Sequence, residues 1–166
     1  MNLHLRLAGI VGAALASLAS LQAQFAWTGA SLSDGNVTVG TNWSLGVAPT
    51  GSGTENLTFD IFTGHSSILF PTFSVNNLTF GPNRQTTDVS GAGVTPTLTL
   101  YGGVTISSGP DVTFGPSLTL NLTIGTTHTF DINEFTFVES AVIGSGSITK
   151  TGGGGPLLIR GAATHT

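Results

Sequence analysis

The chain has 166 residues, with 24 glycines, no cysteine, 7% charged and 39% hydrophobic residues, and a formal net charge of −4. That length suits one domain, and a chain this apolar and this poor in charge is expected to fold rather than stay disordered. Only four Lys and Arg are present, which excludes the clustered cations a nucleic-acid or anionic-membrane surface needs. The missing thiols exclude disulfides, thiolate metal sites and a cysteine nucleophile.

Met1–Ala23 reads as a secretory signal peptide. Arg6 marks a short positive region, Leu7–Ala19 is an apolar run, and Leu21-Gln22-Ala23 offers a small residue at the cut. The run is shorter than the roughly 20 residues that span a bilayer. The sequence therefore predicts export, with the mature chain beginning near Gln24 and the protein secreted or held at a cell surface.

Residues 24–65 hold short apolar pieces between Gly, Asn and Pro clusters: Trp27-Thr-Gly29, Asn42-Trp43-Ser44, Gly46-Val-Ala-Pro49 and Asn56-Leu-Thr-Phe-Asp60. Brief strands and loops should alternate here. Both tryptophans of the chain fall in this part. Two uses compete for them: covering the open end of a β-stack, the preferred reading, or stacking on a sugar ring.

From residue 66 the apolar positions alternate with Thr, Ser and Asn. Ile68 and Phe70, then Leu78 and Phe80, begin the pattern; Pro82-Asn83-Arg84 reads as a turn and Gln85–Pro96 as a polar loop. After Thr97 the inward set is Leu98, Leu100, Val104, Ile106, Val112, Phe114, Leu118, Leu120, Leu122, Ile124, Phe130, Ile132, Phe135 and Phe137. Gly102-Gly103, Gly109-Pro110, Gly115-Pro116 and Gly125 fall between the runs and mark corners. Period two means one buried and one wet face, which fits a β-solenoid and a β-sandwich alike.

The C-terminal stretch favours the solenoid. Gly144-Ser-Gly-Ser-Ile-Thr-Lys-Thr-Gly152, then Leu157-Leu-Ile-Arg-Gly161 and Ala162-Ala-Thr-His-Thr166, resembles the passenger-associated β-strand repeat of autotransporter-type proteins. Gly144, Gly146, Lys150, Gly152 and Gly161 fall at motif positions, over about 25 residues. Pro156, Leu158, Ala163 and His165 depart from the motif. The resemblance implies a right-handed parallel β-helix, here an N-terminal cap over 24–65 followed by coils over 66–166 that end in one repeat (144–166). It implies no catalytic residue.

Chemistry-bearing residues are sparse. Among Asp34, Glu55, Asp60, Asp88, Asp111, Asp131, Glu134 and Glu139, only Asp131, Glu134 and Glu139 lie close together, and a Ca²⁺ site needs six or more oxygens. Nothing places two carboxylates for glycoside hydrolysis, and there is no Gly-x-Ser-x-Gly for His65, His128 or His165 to serve. Each histidine reads as an ordinary polar strand or loop residue. Gly152–Gly155 leads to Pro156 and a strand, not to a helix, so it is a corner and not a phosphate loop.

The reading is of an exported, non-catalytic passenger fragment without a cofactor, acting as surface scaffold, stalk or adhesin. Its expected partners are extracellular glycans, matrix or neighbouring surface proteins, and a second copy through an uncapped C-terminal edge; nucleic acid is excluded. The alternative is a carbohydrate-binding β module that uses Trp27, Trp43 or Tyr101.

Overall fold

The computed structural model describes residues 23–31, 34–61 and 67–165. Met1–Gln22 of the expected signal peptide, and His65, lie outside the described residues.

Alternating short apolar runs become short strands because each run supplies only two inward side chains before a corner interrupts it. Three strands make one coil. The first coil is β2 (Asn56–Phe59), β3 (Ser67–Phe70) and β4 (Phe73–Val75); the second is β5 (Asn77–Phe80), β6 (Thr87–Gly91) and β7 (Thr97–Leu100). The third is β8 (Val104–Ile106), β9 (Val112–Phe114) and β10 (Thr119–Leu122), and the fourth β11 (Thr127–Ile132), β12 (Thr136–Val138) and β13 (Ala141–Gly144). The fifth is β14 (Ser147–Thr151), β15 (Leu157–Ile159) and β16 (Ala163–His165), and β1 (Gln24–Ala26) precedes them all.

All pairings between these strands are parallel. Sheet I runs β1-β2-β5-β8-β11-β14, sheet II β3-β6-β9-β12-β15 and sheet III β4-β7-β10-β13-β16. The chain visits I, II and III in turn and then begins the next coil. This is a parallel β-solenoid of about five turns, and the antiparallel sandwich is excluded. Register keeps like on like: Leu57 pairs with Leu78, Leu78 with Val104, and Val104 with Phe130. The inward columns are fully buried through most of the stack, including Phe70, Phe80, Leu98, Ile106, Phe114, Leu120 and Ile132.

The N-terminal segment closes the stack by covering one edge of each sheet. β1 pairs beneath β2, Asn36 bridges in parallel to Leu69 of sheet II, and Gly53 N–H donates to Ser74 O of sheet III at 3.2 Å. Trp27 and Trp43 cross edge-to-face at 5.1 Å, and both pack on Phe59. The Trp43 indole N–H reaches Val37 O at 2.7 Å. Burial of the rings supplies the apolar area, and the satisfied N–H removes its desolvation cost.

Several local readings are corrected. Gln85–Pro96 is not simply a loop, for it contains β6 with Thr87 and Val89 inward. A strand with one apolar inward residue leaves almost no periodic signal. Phe135 and Phe137 do not face the core: Thr136 and Val138 are buried and the two rings stack outside, centroids 6.5 Å apart. A shift of one residue inverts a strand's faces, and here β12 pairs with Thr136 and Val138 above Val112 and Phe114. Ile124 is 82% exposed, because it lies beyond β10 on a corner. The first coil starts at Asn56, inside the part read as irregular.

Candidate functional site

The three glycan candidates separate. Trp27 and Trp43 are 3% and 2% exposed and form the cap, so neither offers a ring face to solvent. Tyr101 is 49% exposed. It opens the corner from sheet III to sheet I and lines an open groove of about 570 Å³ with Thr99, Asn121, Leu122, Thr123, Ile124, Thr126, Gly144 and Ser145.

That groove follows from how the corners stack. Thr99 and Asn121 are register neighbours on the outer face of sheet III, and Asn121 Nδ2 donates to Thr99 Oγ1 at 3.3 Å. One wall is Tyr101, whose ring rests on Gly53: a Cβ there would stand 2.6 Å from Cε2. The next coil's corner carries Ile124 and Thr126 out to solvent, and the following one contributes only Gly144 and Ser145. Gly144 has φ 96°, and a Cβ on it would strike Leu122 O; the lost side chain leaves space above Asn121.

The corner is tied from beneath by His128, a strand residue of β11 that is fully buried. Its Nδ1 lies 2.6 Å from Gly102 O and its Nε2 3.3 Å from Thr123 O, so one ring bridges two successive corners. Gly146 leaves it room: a Cβ there would come within 2.5 Å of Nε2. Asn77 extends the same seam by accepting from Gly103 N–H at 2.7 Å and donating to Asn56 Oδ1 at 2.9 Å.

The repeat-motif residues have packing roles. Gly152 and Gly161 stand where a Cβ would meet Ile132 O and Ser140 O of the preceding coil. Lys150 pairs with Phe130 and thus occupies the inward column of sheet I, yet it is exposed because no described strand lies beyond it. Its ammonium donates to Thr151 O and Gly152 O at 3.3 and 3.0 Å. Gly154 and Gly155 lie against the Asn133–Phe135 backbone, so packing accounts for Gly152, Gly154 and Gly155 of the run, while a Cβ on Gly153 would meet open space.

Two buried ionic groups were missed by the sequence reading. Arg84 is 2% exposed and donates from Nη1 to Gly81 O at 2.6 Å and Ser107 O at 3.0 Å, and from Nη2 to Pro110 O. Burial lowers its pKa, against the opposing pull of Glu134, Asp111 and Asp60. Glu55 is 4% exposed and accepts from the backbone N–H of Thr50 and Ser52, each at 3.0 Å, and from both hydroxyls. Burial pushes its pKa up, but these hydrogen bonds outweigh it and hold the carboxyl below its ordinary value.

Among the described residues no group of three His, Asp or Glu could hold a metal ion, and no helix is long and apolar enough to cross a membrane. The chain matches no family model, and comparison with curated proteins and with solved structures returns no match.

Proposed function

We propose that this chain is an exported, non-catalytic β-solenoid that serves as a surface scaffold, stalk or adhesin, in the manner of the autotransporter-type passengers its C-terminal repeat resembles. One observation carries the reading: among the described residues the N-terminal end of the stack is covered and the fifth coil lies open. The first coil is covered on all three sheets, whereas in the fifth Ile159 is 43% exposed and Leu157 only half-buried, although both continue inward columns. Such an end accepts further strands.

The capped first coil leaves no complementary surface for head-to-tail growth. Where no further coil or partner covers the fifth coil, two copies would meet through it, tail to tail, as a closed two-fold pair. Lys150 opposes this contact because each copy brings to it the exposed ammonium of a lysine at an inward register position, and charge on an open edge deters pairing. Association is accordingly weak, concentration-dependent and strengthened by salt, which screens like charges.

Sedimentation equilibrium tests the reading. The expected result is a monomer–dimer equilibrium that tightens with Lys150→Leu and disappears when a polar capping coil is fused after residue 165. A monomer at high concentration for both the natural chain and Lys150→Leu, or growth into open fibres, would refute it. Export is checked separately by mass spectrometry of secreted material, expected to start near Gln24; an intact Met1 terminus would overturn cleavage.

A further inference from the structure

We propose that the groove between Tyr101 and Ile124 is a binding site for a neutral oligosaccharide. The inference rests on the adhesive reading above and supplies its ligand class. Three observations meet at this corner.

First, the aromatic wall is held in place. Tyr101 lies on the Gly53 backbone, and Gly53 is fixed by its bond to Ser74 O and by the Glu55-bound turn beside it. A ring that is half-exposed and already oriented loses little freedom on binding. Its negative π face suits the electropositive C–H bonds of a pyranose.

Second, the polar groups are neutral. Thr99, Asn121, Thr123, Thr126 and Ser145 offer hydroxyl and amide groups that both donate and accept, the chemistry that sugar hydroxyls require. No Lys, Arg, Asp or Glu lines the groove. A uronate or sialate would give up its hydration there with no cation to replace it.

Third, the dimensions suit a short glycan. The lining runs along the solenoid axis from Tyr101 in the second coil, past Ile124, to Ser145, about 10 Å at ordinary strand spacing. That length accommodates two sugar rings, one against Tyr101 and the next beside the apolar face of Ile124.

Tyr101 is the only tyrosine in the chain, so selective tyrosine labelling gives one ring signal by NMR. The full mature chain is titrated with cellotetraose, maltotetraose and chitotetraose, and with tetragalacturonate as the acidic probe. The expected result is a saturable shift of the Tyr101 signal with at least one neutral probe and none with the acidic one. Both Tyr101 variants lack that signal, so their affinities are read by isothermal titration calorimetry against the wild-type chain: Tyr101→Phe should keep the affinity, and Tyr101→Ala should lose at least about tenfold, with the circular dichroism of both unchanged. Ile124→Ser tests the second ring and should weaken binding of the corresponding disaccharide while leaving that of the monosaccharide, which reaches only Tyr101, unchanged. The proposal is overturned if no neutral probe moves the signal, if tetragalacturonate binds as tightly, or if Tyr101→Ala retains full affinity. None of these results alters the sedimentation behaviour, so failure of the groove and failure of the open-end reading are separately visible.

Discussion

Replacing Arg84 by Met should destabilise the solenoid more than any surface substitution. The guanidinium is enclosed in the corner from sheet I to sheet II and joins Gly81 of the second coil to Ser107 and Pro110 of the third. Met fills most of the volume but leaves three carbonyls without their charged donor, each worth about 1–3 kcal/mol when left buried and unpaired. Removing a buried cation returns part of this, since its desolvation costs several kcal/mol. We expect a net loss of about 3 kcal/mol, or about 6–12 °C in Tm at about 2–4 °C per kcal/mol for a domain of this size. Far-UV circular dichroism during thermal and urea unfolding measures it. Arg160→Met is the control: Arg160 sits over Phe137 at 4.9 Å and 3.8 Å from Glu139 with its side chain 59% exposed, and such a pair contributes about 1 kcal/mol or less. Equal losses in the two variants would show that Arg84 does not tie the coils.

Leu120→Asp should destabilise strongly, because it sets a carboxylate among fully buried side chains, while Thr119→Asp on the outer face should be mild; similar Tm losses would mean that the facing of β10 is wrong. Glu55 should make stability acid-sensitive: its folded pKa is depressed, so its contribution is full above the ordinary glutamate value of about 4.3 and is lost as pH falls through the lower folded value. Glu55→Gln should cost about 1–3 kcal/mol at neutral pH and flatten the acid limb of Tm against pH; an unchanged limb would remove Glu55 from that role.

The solenoid was legible where a coil strand carried two apolar residues, as in Leu98 and Leu100 or Val112 and Phe114. It was illegible where hydroxyl residues took inward positions, as Thr87 and Thr136 do, because their small polar side chains read as an outer face. Asn76 shows another limit: Val75 and Leu78 look continuous in sequence, yet a single-residue corner sends them to different sheets. His128 was open to detection. It stands two residues before Phe130, itself two before Ile132, so period two alone places it inward. Lys150 follows Ile148 by the same rule. Arg84 left no such trace, since the carbonyls it gathers come from different coils and meet only in space. The groove was half legible: Tyr101 stood out as an aromatic residue, but only the stacking of three corners sets Ile124 and Gly144 beside it.

The coils differ in length while their ladders stay in register. Leu57 pairs 21 residues ahead with Leu78, and Leu78 pairs 26 ahead with Val104, then Phe130 only 20 ahead with Lys150. All of this variation is taken up at the corners. At one of them, between β6 and β7, Val94 is 96% exposed and Thr95 adopts a positive φ of 41°. The molecule already contains the outcome of an insertion experiment: the corners act as length buffers, and a doubling of loop length costs only about 0.6 kcal/mol in closure entropy. Foreign peptide grafted there would be displayed at a fixed height on the column, set by coil number and not by the length of the graft.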